Sequence, residues 1–178
     1  TDSQVGNGPG IESQTNPITL ANLQILTSKG IDTSSAIDFD PTKDGFSFEG
    51  ETPYYGNDAL NFHVSDAGEA DWSNKIQYDG LSFALGQNYK VAVTYNLDKD
   101  ITGHFFVLDP TVANWDASLL TSAYNITLPA GTNMTYTSDQ FVASVSVDKA
   151  RLAFNIGGLG NVGPYTLSIK SIDILSND

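Results

Sequence analysis

The chain has 178 residues, 40% hydrophobic and 11% aromatic, which is enough for one buried core and argues against disorder. Its 21 acidic and eight basic side chains give a formal net charge of −13, which opposes binding to nucleic acid or to anionic membranes. The absence of cysteine excludes disulfides, thiolate zinc sites and a cysteine nucleophile.

The predicted elements begin after a lead of linker composition. Residues 1–16 are rich in Gly, Ser, Gln and Asn, so we predict one domain over residues 17–178. Residues Ile18–Thr27 fit either a first strand or one short helix. Further on, short runs rich in β-branched and aromatic residues alternate with turn signals. The predicted strands are Gly45–Glu51, Asp58–Val64, Trp72–Tyr78, Asn88–Leu97, Gly103–Asp109, Tyr124–Leu128, Gln140–Val147, Arg151–Gly157 and Tyr165–Leu175.

Many short strands without intervening helices indicate an all-β fold, either an antiparallel β-sandwich or a barrel. Alternation within each strand sorts its two faces. Leu152 and Phe154 belong to the core face of their strand, which leaves Arg151 and Asn155 on the polar face.

Residues that would indicate catalysis are few. His63 and His104 stand apart from any metal-ligand or nucleophile motif. The best catalytic candidates are Glu49 and Glu51, whose side chains on one strand face would lie about 6.5 to 7 Å apart, within the range of inverting glycosidases. An exposed strand face or a cation site is the alternative interpretation of this pair.

Four segments, in this order and spacing, resemble the carbohydrate-binding modules of families 4, 9, 16 and 22. They are GNDALNFHV, DWSNKIQYDGLSFALGQNYKVAVTY, ARLAFNIGG and SIKSIDIL, and the resemblance covers about Gly45–Leu175. The family's usual opening, Asn-Gly-x-Phe-Glu, is absent, and only FSFEG (Phe46–Gly50) approaches it. The resemblance implies an antiparallel two-sheet β-sandwich, a jelly roll with a concave glycan groove. It also implies a noncatalytic module that holds a secreted polysaccharide-degrading enzyme on β-glucan, xylan or mannan.

On this resemblance, Lys75 and Gln77 point into the groove, since both lie opposite Ile76 and Tyr78 on their strand. Sugars present apolar C–H faces edged by hydroxyls, so a receptor needs aromatic platforms and planar hydrogen-bonding groups. The other candidate sugar-binding residues are Trp72, Tyr54, Tyr55, Trp115, His104, Arg151 and Asn155. Strict alternation would instead turn Trp72 into the core.

An alternative for Arg151, the single arginine of the chain, is a salt bridge to one of the many aspartates. Asp173 matches the family's Asp in the last strand, where a structural calcium ion is often bound away from the sugar. Its partners would be Glu49, Glu51, Asp38 or Asp40, because calcium takes roughly six to eight oxygen ligands.

The resemblance also implies a secreted, monomeric module of a larger multidomain enzyme, with a polysaccharide or oligosaccharide partner. Two alternatives stay open at this point. One is a structural or adhesive β-sandwich of a cell surface. The other is a jelly-roll glycanase that uses Glu49 and Glu51.

Overall fold

The computed structural model describes residues 23–33 and 44–176. The lead predicted over residues 1–16 lies outside these ranges, as do Asp38 and Asp40. The strands are β1 (Gln24–Gly30), β2 (Phe46–Glu49), β3 (Tyr54–Gly56), β4 (Ala59–Val64), β5 (Lys75–Phe83), β6 (Asn88–Leu97), β7 (Ile101–Leu108), β8 (Leu119–Leu128), β9 (Gly131–Thr137), β10 (Phe141–Val142), β11 (Val147–Asn155) and β12 (Tyr165–Ser176).

The strands form two antiparallel sheets, so the predicted all-β sandwich is confirmed. The seven-stranded sheet has the order β10, β6, β12, β4, β3, with β1 paired to β12 and β9 paired to β6. The five-stranded sheet has the order β2, β5, β11, β7, β8. A 3-10 turn at Asp71–Ser73 precedes β5, and a single helical turn at Trp115–Ser118 precedes β8. In the part of the chain that is described, no helix is both long enough and apolar enough to span a membrane.

Alternating side chains of the two sheets supply the core between them. On β11, Leu152 and Phe154 are at most 1% exposed, as the sequence pattern predicts. Phe154 packs against Phe105 of β7 and Tyr136 of β9, with ring centroids 5.2 and 5.7 Å apart. Burial of such aromatic side chains is the largest favourable contribution to folding in a sandwich of this size.

A second, smaller apolar cluster lies on the other face of the five-stranded sheet. It consists of Phe106, Leu108 and Ala153, with Leu119 packed against them. Phe106 follows the core residue Phe105 on β7, so period-two alternation sends the two rings to opposite faces. The five-stranded sheet is therefore partly apolar on both of its faces.

The structure differs from the sequence prediction in several strands. β5 begins at Lys75 rather than at Trp72, because Asp71–Ser73 forms the 3-10 turn. β9 was not predicted, since its sequence GTNMTYT is mostly polar and shows no apolar alternation. The helix alternative for the first segment is wrong where the chain is described, because Gln24–Gly30 is a strand.

Candidate functional site

A groove of about 390 Å³ lies on the outer face of the five-stranded sheet. The small apolar cluster of Phe106, Leu108 and Ala153 forms its floor. Three large aromatic side chains that line it stay open to solvent: Trp72 is 58% exposed, Trp115 47% and Tyr124 55%. Exposed aromatic side chains that surround an apolar floor are typical of a binding site.

Local structure accounts for the exposure of the two tryptophans. Trp72 sits in the 3-10 turn, where Ser73 N–H donates to the Ala70 carbonyl at 3.0 Å, so the residue escapes the alternation of β5. Trp115 opens the helical turn that is capped by Asn114, whose Oδ1 accepts from a backbone N–H at 2.9 Å. Both side chains are presented by short, hydrogen-bonded turns at the groove.

Contacts with the floor and with a neighbouring histidine orient the aromatic rings. Phe106 lies 5.1 Å from Trp115 and 5.3 Å from Tyr124, with interplanar angles of 77° and 75°. His104 contacts Tyr124 at 5.1 Å and 66°. Such near-perpendicular pairs are favourable, and they hold exposed rings in place before any ligand arrives.

The polar side chains of the groove form a row across three strands. Strand register places Asn155 of β11 opposite Lys75 of β5 on one side and opposite His104 of β7 on the other. We refer to Lys75, Asn155 and His104 as the polar row. Gln77 lies in the next row, beside the floor residues Ala153 and Phe106. Rows on one face are about 7 Å apart.

Asp71 organises the centre of the polar row. Asn155 Nδ2 donates to Asp71 Oδ2 at 2.7 Å, and His104 Nε2 lies 3.9 Å from the same oxygen. The backbone N–H of Asn125 donates to His104 Nδ1 at 2.9 Å, so Nδ1 acts as the acceptor and Nε2 carries the proton. Asn155 is 7% exposed, and its buried Oδ1 has no hydrogen-bond partner within the described part of the protein.

The structure brings together most of the binding residues that the sequence predicted. Trp72, Lys75, Gln77, His104, Trp115 and Asn155 line the groove. Sequence reasoning missed Asp71, Phe106, Leu108, Tyr124 and Ala153. The doublet of Phe105 and Phe106 concealed which ring faced outward, and the strand register that brings Tyr124 beside His104 has no local signal. The role in sugar binding of the six predicted residues that line the groove stays a prediction.

The predicted placement of Tyr54 and Tyr55 at the groove is wrong. Both belong to β3 in the seven-stranded sheet, because Tyr54–Gly56 pairs with β4 instead of forming a turn. Tyr55 is only 7% exposed, and its hydroxyl donates to Asp44 Oδ2 at 2.8 Å. Burial, together with the neighbouring carboxylate, raises the pKa of Tyr55. Tyr54 is 55% exposed, but it lies on the other sheet.

Arg151 lies on the same face as the polar row, yet it does not line the groove. Its Nε and Nη2 donate to the two carboxylate oxygens of Asp79 at 2.6 and 2.7 Å. Arg151 therefore forms a bidentate salt bridge to an aspartate, which is the predicted alternative to a contact with sugar. The hydrogen bonds to Asp79 raise the pKa of the guanidinium further above its usual value.

Glu49 and Glu51 do not form a pair of catalytic carboxylates. Gly50 takes a φ of 103°, which breaks the alternation after β2. Glu49 Oε1 lies 3.0 Å from Lys75 Nζ, and Glu51 accepts hydrogen bonds from the hydroxyl and the backbone N–H of Ser65. These hydrogen bonds lower the pKa of Glu51, whereas the acid of a glycosidase needs a raised pKa to stay protonated.

Asp173, Glu49 and Glu51, the described residues among those predicted to bind calcium, do not form a site for the ion. Glu49 belongs to β2 of the five-stranded sheet, and Asp173 belongs to β12 of the seven-stranded sheet. Within residues 23–33 and 44–176, no three His, Asp or Glu side chains come close enough together to hold a metal. The predicted set of Asp173, Glu49 and Glu51 is therefore corrected.

Comparison with known proteins shows which fold this is. No family model matches the sequence, and no curated protein matches it. The second N-terminal cellulose-binding domain of Cellulomonas fimi β-1,4-glucanase C has a TM-score of 0.61 at 16% identity, covering 87% of this chain and 99% of that domain. The apo form of BiXyn10A CBM1 has the same TM-score, identity and coverage.

A family 35 carbohydrate-binding module from Clostridium thermocellum is more distant, with a TM-score of 0.51 at 13% identity, covering 85% of this chain and 99% of the module. At these identities the likeness establishes the fold. The resemblance to jelly-roll carbohydrate-binding modules is thus confirmed as a shared fold.

Proposed function

We propose that this chain is a noncatalytic carbohydrate-binding module that binds a β-linked polysaccharide in the groove of the five-stranded sheet. One observation carries the proposal: Trp72, Trp115 and Tyr124 stay exposed around an apolar floor, beside a row of polar side chains. A pyranose ring has the complementary surface, with apolar C–H faces and hydroxyls at its edge.

The aromatic side chains would supply most of the affinity. Trp72 and Trp115 keep about half of their surface in water, and a stacked sugar ring would remove much of that apolar area from solvent. Their orientation is already set by the turns that carry them and, for Trp115, by the contact with Phe106. Pre-organised platforms lower the entropy cost of binding.

The polar side chains would select the orientation of the sugar. Gln77 Oε1 accepts a hydrogen bond from the Ser47 hydroxyl at 3.2 Å, so the amide is oriented and its NH₂ group serves as a donor. His104 offers Nε2–H from the polar row, next to Asp71. Fixed donors beside an apolar floor suit the equatorial hydroxyls of β-glucan, xylan or mannan.

The wider setting follows from the same proposal. The Cellulomonas fimi domain is named as part of a β-1,4-glucanase, which supports a place for this chain in a larger, secreted polysaccharide-degrading enzyme. Within such an enzyme the module would act as a monomer that keeps the catalytic domain on its substrate. The net charge of −13 supports the absence of nucleic-acid and membrane partners.

The proposal can be tested by comparing a tyrosine variant in the groove with a matched tyrosine variant outside it. Tyr124 in the groove and Tyr54 on the opposite sheet are both 55% exposed, so Tyr124→Ala and Tyr54→Ala remove equal side chains from equal exposure. Affinity gel electrophoresis on soluble β-glucan, xylan, mannan and starch would compare them with the parent and with Trp72→Ala and Gln77→Ala. We expect one β-linked polymer to retard the parent, and Tyr124→Ala to weaken binding about tenfold.

We expect Tyr54→Ala to bind as the parent does, and circular dichroism would verify that each variant is folded. Equal losses in the two tyrosine variants would contradict a site in this groove. If none of the polymers retards the parent, a structural or adhesive role becomes the better explanation of what this β-sandwich does.

A further inference from the structure

The charges around the groove are unevenly compensated. Lys75 is the only cationic side chain among the described residues that line the groove, and its Nζ already lies 3.0 Å from Glu49 Oε1. Arg151, beyond the lining, is held by Asp79 through two hydrogen bonds. In the part of the chain that the structure describes, Lys75 and Arg151 are therefore both paired with carboxylates.

Among the described residues, no lysine or arginine forms a salt bridge with Asp71. Its Oδ2 accepts from the neutral amide of Asn155 at 2.7 Å, and the nearest nitrogen of His104 is 3.9 Å away. The ring of His104 is held by the backbone N–H of Asn125, which donates to Nδ1 at 2.9 Å. Only 16% of the Asp71 side chain is exposed, so its negative charge acts at short range within the groove and is weakly screened.

We propose that Asp71 is a specificity-determining residue that makes the groove reject anionic sugars. The inference depends on the proposed function, because it concerns a glycan bound in the same groove. A uronic acid places a carboxylate where a neutral sugar carries a hydroxymethyl group or a hydrogen atom. Repulsion by Asp71 at about 5 Å, in a partly desolvated groove, would weaken binding of that sugar by about tenfold or more.

The experiment compares neutral and carboxylated polymers with the same backbone. Affinity gels would contain hydroxyethylcellulose or carboxymethylcellulose, and arabinoxylan or glucuronoxylan, at about 150 mM NaCl, where the Debye length is about 8 Å. Within each pair the measured quantity is the ratio of the two dissociation constants. This ratio removes any general loss of affinity that a variant suffers.

Three variants separate local charge from shape and from net charge. Asp71→Asn removes the charge, and its Oδ1 still accepts from Asn155. Asp71→Glu keeps the charge but alters the geometry. Asp148→Asn makes the same change in net charge at an exposed position on β11, seven residues or roughly 23 Å from Asn155. Thermal unfolding would verify that all three variants are folded.

We expect the parent to bind the neutral member of a pair about tenfold or more tightly. Asp71→Asn should narrow that ratio by about tenfold, and Asp71→Glu and Asp148→Asn should keep it. Equal binding of both members by the parent would overturn the inference and leave the proposed function standing. The inference also fails if Asp148→Asn narrows the ratio as much as Asp71→Asn. Absence of retardation by all four polymers, and by soluble β-glucan and mannan as well, would overturn the proposed function itself.

Discussion

On one face of the five-stranded sheet, polar residues of one row line the groove, whereas those of another row form a salt bridge between strands. Asn155 and Lys75 lie in the same row and line the groove. Arg151 and Asp79 are also directly opposite each other, four residues further along the strands, and they bind each other. A bidentate pair across two adjacent strands stabilises the register of β5 against β11.

Arg151→Ala tests this structural assignment. The two side chains are 29% and 34% exposed, so solvent screens the pair and we expect the free energy of unfolding to fall by only about 1 kcal/mol. Affinity for the retarding polysaccharide should stay within about twofold, because Arg151 does not line the groove. Urea unfolding and affinity gels would measure both effects. A tenfold loss of affinity with unchanged stability would return Arg151 to the sugar site.

At the scale of elements, the segment between β4 and β5, residues 65–74, carries both Asp71 and Trp72 to the groove. Residues directly after β11 hydrogen-bond to the backbone of this segment. Gly157 N–H donates to the Asp71 carbonyl at 2.9 Å, and the buried Asn74 donates through its amide to two backbone carbonyls of the segment. The position of the Trp72 platform thus depends on close backbone contact with the residues after β11.

Gly157→Ala tests this dependence. A Cβ at Gly157 would meet the carbonyl oxygens of Ala67 and Ala70 and the backbone N of Asn74, each at 2.8 Å. We expect the segment to shift, stability to fall by about 1 to 3 kcal/mol and glycan affinity to fall about tenfold. Gly30→Ala is the control, because its Cβ would meet nothing within 4 Å. Urea unfolding and affinity gels apply here too, and unchanged affinity would show that this contact does not position the platform.

For the whole molecule, the main electrostatic feature is the net charge of −13. Mutual repulsion of so many carboxylates destabilises the compact state, and salt screens that repulsion. We expect the melting temperature to rise by about 2 to 4 °C between about 10 and 200 mM NaCl, as a gain of roughly 1 kcal/mol would produce. Differential scanning calorimetry would measure this change.

The control replaces part of the NaCl with CaCl₂ at constant ionic strength. Screening alone would give the same melting temperature, because it depends on the ionic strength, which the exchange leaves constant. A further rise with calcium would point to a specific ion site. A fall in melting temperature with NaCl would contradict the view that charge repulsion dominates.

The sequence predicted the fold well where burial alternates strongly. β6 was predicted with its observed bounds, Asn88–Leu97, and β11 and β12 were predicted to within a few residues, because each has one face in the core. β3 and β9 were missed, since one is too short and the other too polar for a periodic signal. In the site, likewise, the facing of single strands was predictable from the sequence, whereas contacts between residues far apart in the chain were not.

The sequence by itself determined the all-β class and the outward facing of Lys75, Gln77 and Asn155, because period-two alternation is a local property of each strand. Only the tertiary structure decided that Asn155 meets His104 and Asp71, since strand register and loop packing join residues far apart in the chain. It also decided that the 3-10 turn, rather than alternation, sets the exposure of Trp72.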